Sequence, residues 1–144
     1  MNVDESLDRV ARFYETLSPA TLEAELGAIY AADARFKDPF NEVQGLVPIA
    51  AIFAHMFHQV DDPRFVVTTR VGQGGQAFLT WDFKFSMKRF SKEPQCIRGA
   101  THLVFNEHGL VSVHRDYWDA AEELYEKLPV LGGLMRWLKR SANR

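Results

Sequence analysis

Residues 30–40 read Tyr30-Ala31-Ala32-Asp33-Ala34-Arg35-Phe36-Lys37-Asp38-Pro39-Phe40, and the fold turns on what this stretch becomes. Asp38 precedes a proline, and a residue in that place is pushed out of helical geometry into extended geometry. The stretch therefore predicts a short strand that ends near Asp38. The two-residue period of a strand puts Phe36, Asp38 and Phe40 on one face. An acid on an aromatic face is either a working group in a pocket or a strand-end carboxylate that bonds nearby backbone and faces water. The sequence on either side bears on that choice.

Upstream, the apolar residues follow helical spacing. Val3, Leu7, Val10, Tyr14 and Leu17 fall on one stripe and predict helix one over residues 3–17. Asn2 followed by Glu5 resembles a capping box. Ser18-Pro19 is a cap followed by proline at the first helical position, which opens helix two with Leu22, Leu26, Ile29 and Tyr30 inward. Downstream of the central stretch, Gly45 leads into Pro48 and a third helix that runs to about Val60. Its stripe of Ile49, Ile52, Phe53, Met56, Phe57 and Val60 is wide enough to be buried against a sheet. Asp61-Asp62-Pro63 reads as its end.

The apolar period then changes to two. Residues 64–71 alternate Phe65, Val67, Thr69 and Val71 with more polar neighbours, and Gly72-Gln73-Gly74-Gly75 is a turn. Residues 76–90 alternate most cleanly, with Ala77, Leu79, Trp81, Phe83, Phe85 and Met87 on one side. After a turn at residues 91–94, residues 95–105 put Ile97, Gly99, Thr101, Leu103 and Phe105 on one face. Asn106-Glu107-His108-Gly109 is a hairpin loop with a closing glycine. Residues 110–118 form the last strand. Asp119 caps a short helix over 120–128, Pro129 interrupts it, and residues 130–140 carry a further apolar side with a basic end.

Composition sets the limits. A chain of 144 residues with a 47% hydrophobic share makes one domain, 1–144, with a sizeable core; residues 119–144 read as a C-terminal helical extension. The net charge of -2 supplies no field for nucleic acid or acidic lipid. No apolar run approaches the ~20 residues needed to cross a bilayer. The start of the chain is acidic and polar, unlike a secretory signal, and Cys96 has no second cysteine to pair with. A cytoplasmic protein is the expectation. Three helices followed by long antiparallel strands predict the α+β class. The helices pack on the concave face of a curved, mostly antiparallel mixed sheet. That makes a cone with one open end and room for a ligand.

The residues carry a resemblance. Phe13-Tyr14, the run Tyr30-Ala31-Ala32-Asp33-Ala34 into Asp38-Pro39, and Thr101-His102-Leu103-Val104-Phe105-Asn106 through Gly109 to Trp118 resemble the nuclear-transport-factor-2-like superfamily. That superfamily includes ketosteroid isomerases, polyketide cyclases and limonene epoxide hydrolases, so the likeness implies a fold before it implies a reaction. Ketosteroid isomerase, a worked case of tuned acid-base chemistry, is the mechanistic relative it suggests. By that resemblance Asp38 stands where the general base is kept and Tyr14 where a phenolic oxyanion donor is kept. Thr101 stands in place of a second, protonated acid, and Phe53 in place of a supporting tyrosine.

Burial among phenylalanines would raise the Asp38 pKa and make it a usable base. Tyr14, on the buried stripe of helix one, is either an oxyanion donor or a core tyrosine with an ordinary partner. His114 and Asp116 lie two apart on the last strand and share a face with Trp118. A four-residue loop pairs Phe105 with Leu110, sets Thr101 opposite His114 and turns His114 and Asp116 inward. A three-residue loop pairs Asn106 with Leu110 and turns Val111, Val113 and Arg115 inward. Hydrophobicity alone slightly favours the second; the resemblance favours the first, and we follow the resemblance. The catalytic candidates are then Asp38, Tyr14, Asp116 and His114. Tyr30, Phe36, Phe53, Phe57, Trp81, Phe83, Thr101 and Trp118 are the candidate wall of the ligand site.

No metal site is expected: His55 and His58 share a helix face with no acid to complete a ligand set. Gly72 to Gly75 lacks the lysine and helix of a phosphate loop. No cofactor is expected either. The expected function is binding of a small, apolar or polycyclic molecule, with cofactor-free isomerase, cyclase or hydratase chemistry on it. The alternatives are a ligand-binding protein without chemistry and a protein-interaction module. The outer sheet face is the expected homodimer contact.

Overall fold

The computed structural model of the chain describes residues 1–87 and 93–123, together with Arg140. Helix α1 spans Val3–Glu15; Asn2 caps it by accepting the Asp4 and Glu5 backbone N–H groups. Helix α2 spans Pro19–Ile29, opened by Ser18 and Thr21, whose side chains each bond the other's backbone N–H. Strand β1 (Tyr30–Lys37), the short β2 (Glu42–Gln44) and helix α3 (Leu46–Gln59) follow. The long strands are β3 (Val60–Gln73), β4 (Gln76–Met87), β5 (Pro94–Phe105) and β6 (Val111–Tyr117), with a short α4 at Ala120–Glu123.

One six-stranded sheet has the order β2-β1-β6-β5-β4-β3. All neighbours are antiparallel except β1 and β6, which run parallel. The sheet is mixed, open and curved, and the three N-terminal helices pack against it, as the α+β reading expects. Helix α1 lies over β3 and β4, while α3 lies over β1, β2 and β3. The buried face of β4 is Ala77, Leu79, Trp81, Phe85 and Met87; that of β5 is Ile97, Thr101, Leu103 and Phe105. Both follow the period read from the sequence.

Several boundaries differ. Helix α1 stops two residues early, and Tyr30 opens β1 instead of closing α2. Asp61-Asp62-Pro63 does not merely end a helix: it lies inside β3, where a bulge between Asp61 and Arg64 takes Asp62 to a φ of 50°. Proline is tolerated in a strand at such a bulge. The hairpin at Gly74-Gly75 is a two-residue turn with Gly74 at a φ of 64°, where a side chain would be strained. The expected turn at 91–94, the end of the helix over 120–128 and the helix over 130–140 fall wholly or largely outside the described residues.

Next to the loop the β5–β6 register is that of the three-residue loop, with the Asn106 N–H donating to the Leu110 carbonyl at 2.8 Å; beyond Phe105 it is neither of the two that loop length suggested. Phe105 pairs with Val111, yet Val104 pairs with Val113, so Ser112 is an extra residue in β6. Its hydroxyl donates to the Val104 carbonyl at 3.0 Å. Beyond this bulge Leu103 faces His114 and Thr101 faces Asp116. Val111 and His114, three apart, are therefore both buried, which an unbroken strand cannot do.

Candidate active site

The end of β1 is set by a tight turn. Asp38 N–H donates to the Asn41 carbonyl at 2.9 Å, and Pro39 holds the φ that the turn's second position needs. The Asp38 Oδ1 accepts the backbone N–H groups of Phe40 (2.9 Å) and Asn41 (2.6 Å). Asn41 Nδ2 donates to both carboxylate oxygens at 3.1 Å. Asp38 and Phe40 thus belong to the turn, and the two-residue strand spacing with Phe36 does not extend to them. Phe36 is buried in β1, while Phe40 leans on Trp118 with ring centroids 5.6 Å apart.

A second carboxylate comes from β6. His114 and Asp116 point inward. Phe36 stacks on the His114 ring at 4.4 Å, and His114 is 2% exposed. His114 Nε2 lies 2.7 Å from Asp116 Oδ1. On its other side, His114 Nδ1 lies 2.6 Å from the Tyr14 hydroxyl and 2.8 Å from that of Tyr30. The two hydroxyls are 2.6 Å apart. From β5, the Thr101 hydroxyl donates to Asp116 Oδ1 at 2.6 Å, and the Trp81 indole N–H donates to Thr101 Oγ1 at 2.8 Å. The indole can reach across because its partner on β5 is Gly99; a Cβ there would lie 2.5 Å from the Trp81 ring.

The two carboxylates meet at one cavity of about 400 Å³. Its wall is mostly apolar, with Phe36, Phe53, Trp81, Phe83 and Trp118 from the expected set, and Phe65, Ile52 and Asn41 besides. Asp38, Asn41, Asp116 and Trp118 also line a second, outer depression of about 690 Å³ that Lys37, Glu42, Arg115 and Asp119 border. The acids therefore stand where an apolar interior opens to a polar vestibule. Tyr30, Thr101, Tyr14, His114 and Phe57 are not on the inner wall: the first four form the hydrogen-bonded layer behind Asp116. Asn41 escaped the sequence reading, although an Asp-Pro-Phe-Asn turn signal could have found it.

Burial raises the Asp38 pKa, and the charge of Asp116 adds to the rise; the Phe40 and Asn41 donors pull the other way without cancelling it. Burial likewise pushes both phenols above their ordinary range, so Tyr14 and Tyr30 are protonated at neutral pH. Among the described residues no group of His, Cys, Asp and Glu is placed to hold a metal ion. A base of raised proton affinity, a second acid with a tethered charge, and an apolar chamber between them suit proton transfer to and from a bound molecule.

A family model described as a SnoaL-like domain matches residues 10–114. No curated protein matches the chain. Among solved structures, a protein of ketosteroid isomerase-like fold from Catenulispora acidiphila, in complex with trimethylamine, superposes with a TM-score of 0.71 at 17% identity, over 86% of this chain and 92% of that one. An epoxide hydrolase of limonene-epoxide-hydrolase-like type from M. tuberculosis gives 0.71 at 15% identity, over 93% and 97%. A SnoaL-like protein of the polyketide cyclase type from Shewanella putrefaciens gives 0.71 at 15% identity, over 86% and 96%. At such identities the likeness speaks for the fold.

Proposed function

This chain belongs to the SnoaL-like domain family, and from that premise we propose that it is a cofactor-free enzyme moving a proton on a small, largely apolar molecule. The fold's members include isomerases, cyclases and epoxide hydrolases, and the reaction is of that acid-base kind. The observation that carries this reading is the pair of carboxylates, Asp38 and Asp116, on one cavity of about 400 Å³. Asp38 is the base. Burial and the neighbouring charge raise its affinity for a proton, and its turn holds it at the cavity edge. Having taken the proton, it can return it to another atom of the same ligand. Asp116 supplies the opposing charge and, with His114, the auxiliary acid-base pair. Tyr14 acts through His114 and does not touch the ligand.

The test is turnover of a panel of enolisable ketones and epoxides by the wild type and Asp38→Asn. Removing a positioned base lowers the rate on the order of 10²–10⁴-fold. Equal turnover in the variant would end the proposal.

The outer sheet face favours association with a second copy. Val66, Val71, Phe78 and Tyr117 are exposed on it, and Phe78 stacks on His102 at 4.6 Å. Sedimentation of the wild type against Phe78→Ser reads that contact directly.

A further inference from the structure

The hydrogen bonds behind Asp116 leave no proton stranded only when His114 Nδ1 is bare. The Trp81 indole can only donate, so Thr101 Oγ1 accepts from it and its own proton goes to Asp116 Oδ1. At the other end, Tyr14, Tyr30 and His114 Nδ1 form a triangle with sides of 2.6, 2.6 and 2.8 Å. Each phenol brings one proton. If Nδ1 is bare, one phenol donates to it and the second donates to the first, and all are satisfied. If Nδ1 carries a proton, whether in the other tautomer or in the imidazolium, one phenol has no acceptor left in a fully buried place. The ring therefore carries its proton on Nε2, aimed at Asp116 Oδ1.

We propose that Trp81 and Thr101 are positioning residues of this site: together with a neutral, Nε2-protonated His114 they make Asp116 Oδ1 the acceptor terminus of two converging one-way hydrogen-bond chains. Asp116 is faced by His114 from its own strand, Thr101 from β5, Trp81 from β4 through Thr101, and Asp38 and Asn41 from the turn after β1. Both bonds end on Oδ1; Oδ2 receives none among the described residues. Two donors to Oδ1 favour the charged form of Asp116, and that charge is what raises the proton affinity of Asp38 beyond the effect of burial. The substrate proton goes to Asp38, a role that rests on the enzyme reading above, whereas the proton arrangement stands without it. Gly99 belongs to the same device, since it admits the indole that starts one chain.

The experiment needs no substrate. Imidazole ¹⁵N spectra of the intact protein near neutral pH should show His114 with a bare Nδ1 and a protonated Nε2. A protonated Nδ1 would overturn the proposal. The Trp81 indole N–H should resonate as a bonded, slowly exchanging proton. In Thr101→Val it should shift and exchange faster, and Thr101→Ser should restore it. The carboxyl midpoint of Asp38, followed by ¹³C, should fall in Asp116→Asn, because a neighbouring negative charge is gone. It should move the same way, by less, in Thr101→Val, where Asp116 loses one of two donors to its charged form. An unmoved Asp38 midpoint in both folded variants would overturn the positioning role. Lack of turnover with every compound, with these spectra as expected, would instead strike only the enzyme reading.

Discussion

Asp38 and Asp116 reach the same cavity by opposite routes. Asp38 is held by its own neighbours: among the described residues every bond its carboxylate makes goes to Phe40 or Asn41, two and three residues away. Asp116 is held by groups from across the molecule, with Thr101 fifteen residues off and Tyr14 and Tyr30 behind His114 at separations of 100 and 84. The first site is a local turn that merely sits at the mouth. The second exists only when helix α1 and strands β1, β4, β5 and β6 are all in place. A locally held acid is free to be tuned by whatever occupies the cavity; a globally held one is part of the folded core.

The sharpest way to break this contrast is Asp38→Asn. Besides the expected loss of turnover, it should make the protein more stable at neutral pH. The native state prefers Asp38 protonated, since its pKa is raised on folding. Its ionisation therefore costs stability as pH rises from the ordinary carboxylate range through the raised value. The asparagine removes that cost above this window and should give no gain below it, as thermal melts across pH would read. Next in size is Gly99→Ala, which should cost about 1–3 kcal/mol by crowding the Trp81 ring, and should disturb the indole signal while leaving the Asp38 turn intact. Tyr14→Phe removes one bond of the buried triangle while Tyr30 still donates to His114 Nδ1, and should cost about 0.5–1.5 kcal/mol in denaturant unfolding. A neutral result there would mean that the Asp116 site is no more global than the Asp38 one. Smallest is Phe78→Ser on the outer face: unfolding should shift by less than about 0.5 kcal/mol, and only the association state should respond.

The same difference explains what could be read from residues alone. The Asp38-Pro39 pair announced the end of a strand because proline acts on its immediate neighbour. The faces of β4 and β5 were legible because their alternation runs unbroken from Ala77 to Met87 and from Ile97 to Phe105. The inward set of β6 was not. Val111, Val113 and Arg115 make as good an alternation as His114 and Asp116, and the arbiter is an extra residue opposite Val104 that no turn rule announces. Likeness to known relatives led to the correct face by a register that does not occur. Tyr30 and Thr101 were legible as inward residues, but not as a layer behind the wall. That depends on a cross-strand glycine and on how far two phenols reach.

The extra residue in β6 gives the molecule a frameshift confined to a single strand. Loss of Ser112 would iron out the kink and still leave imidazole and carboxylate inside. Straightening the strand at its present length would instead bring a guanidinium, Arg115, into the chamber where an acid now stands. A lineage built on this cone can thus exchange an anionic interior for a cationic one by sliding a few backbone bonds, with no change to the helices or to the other five strands.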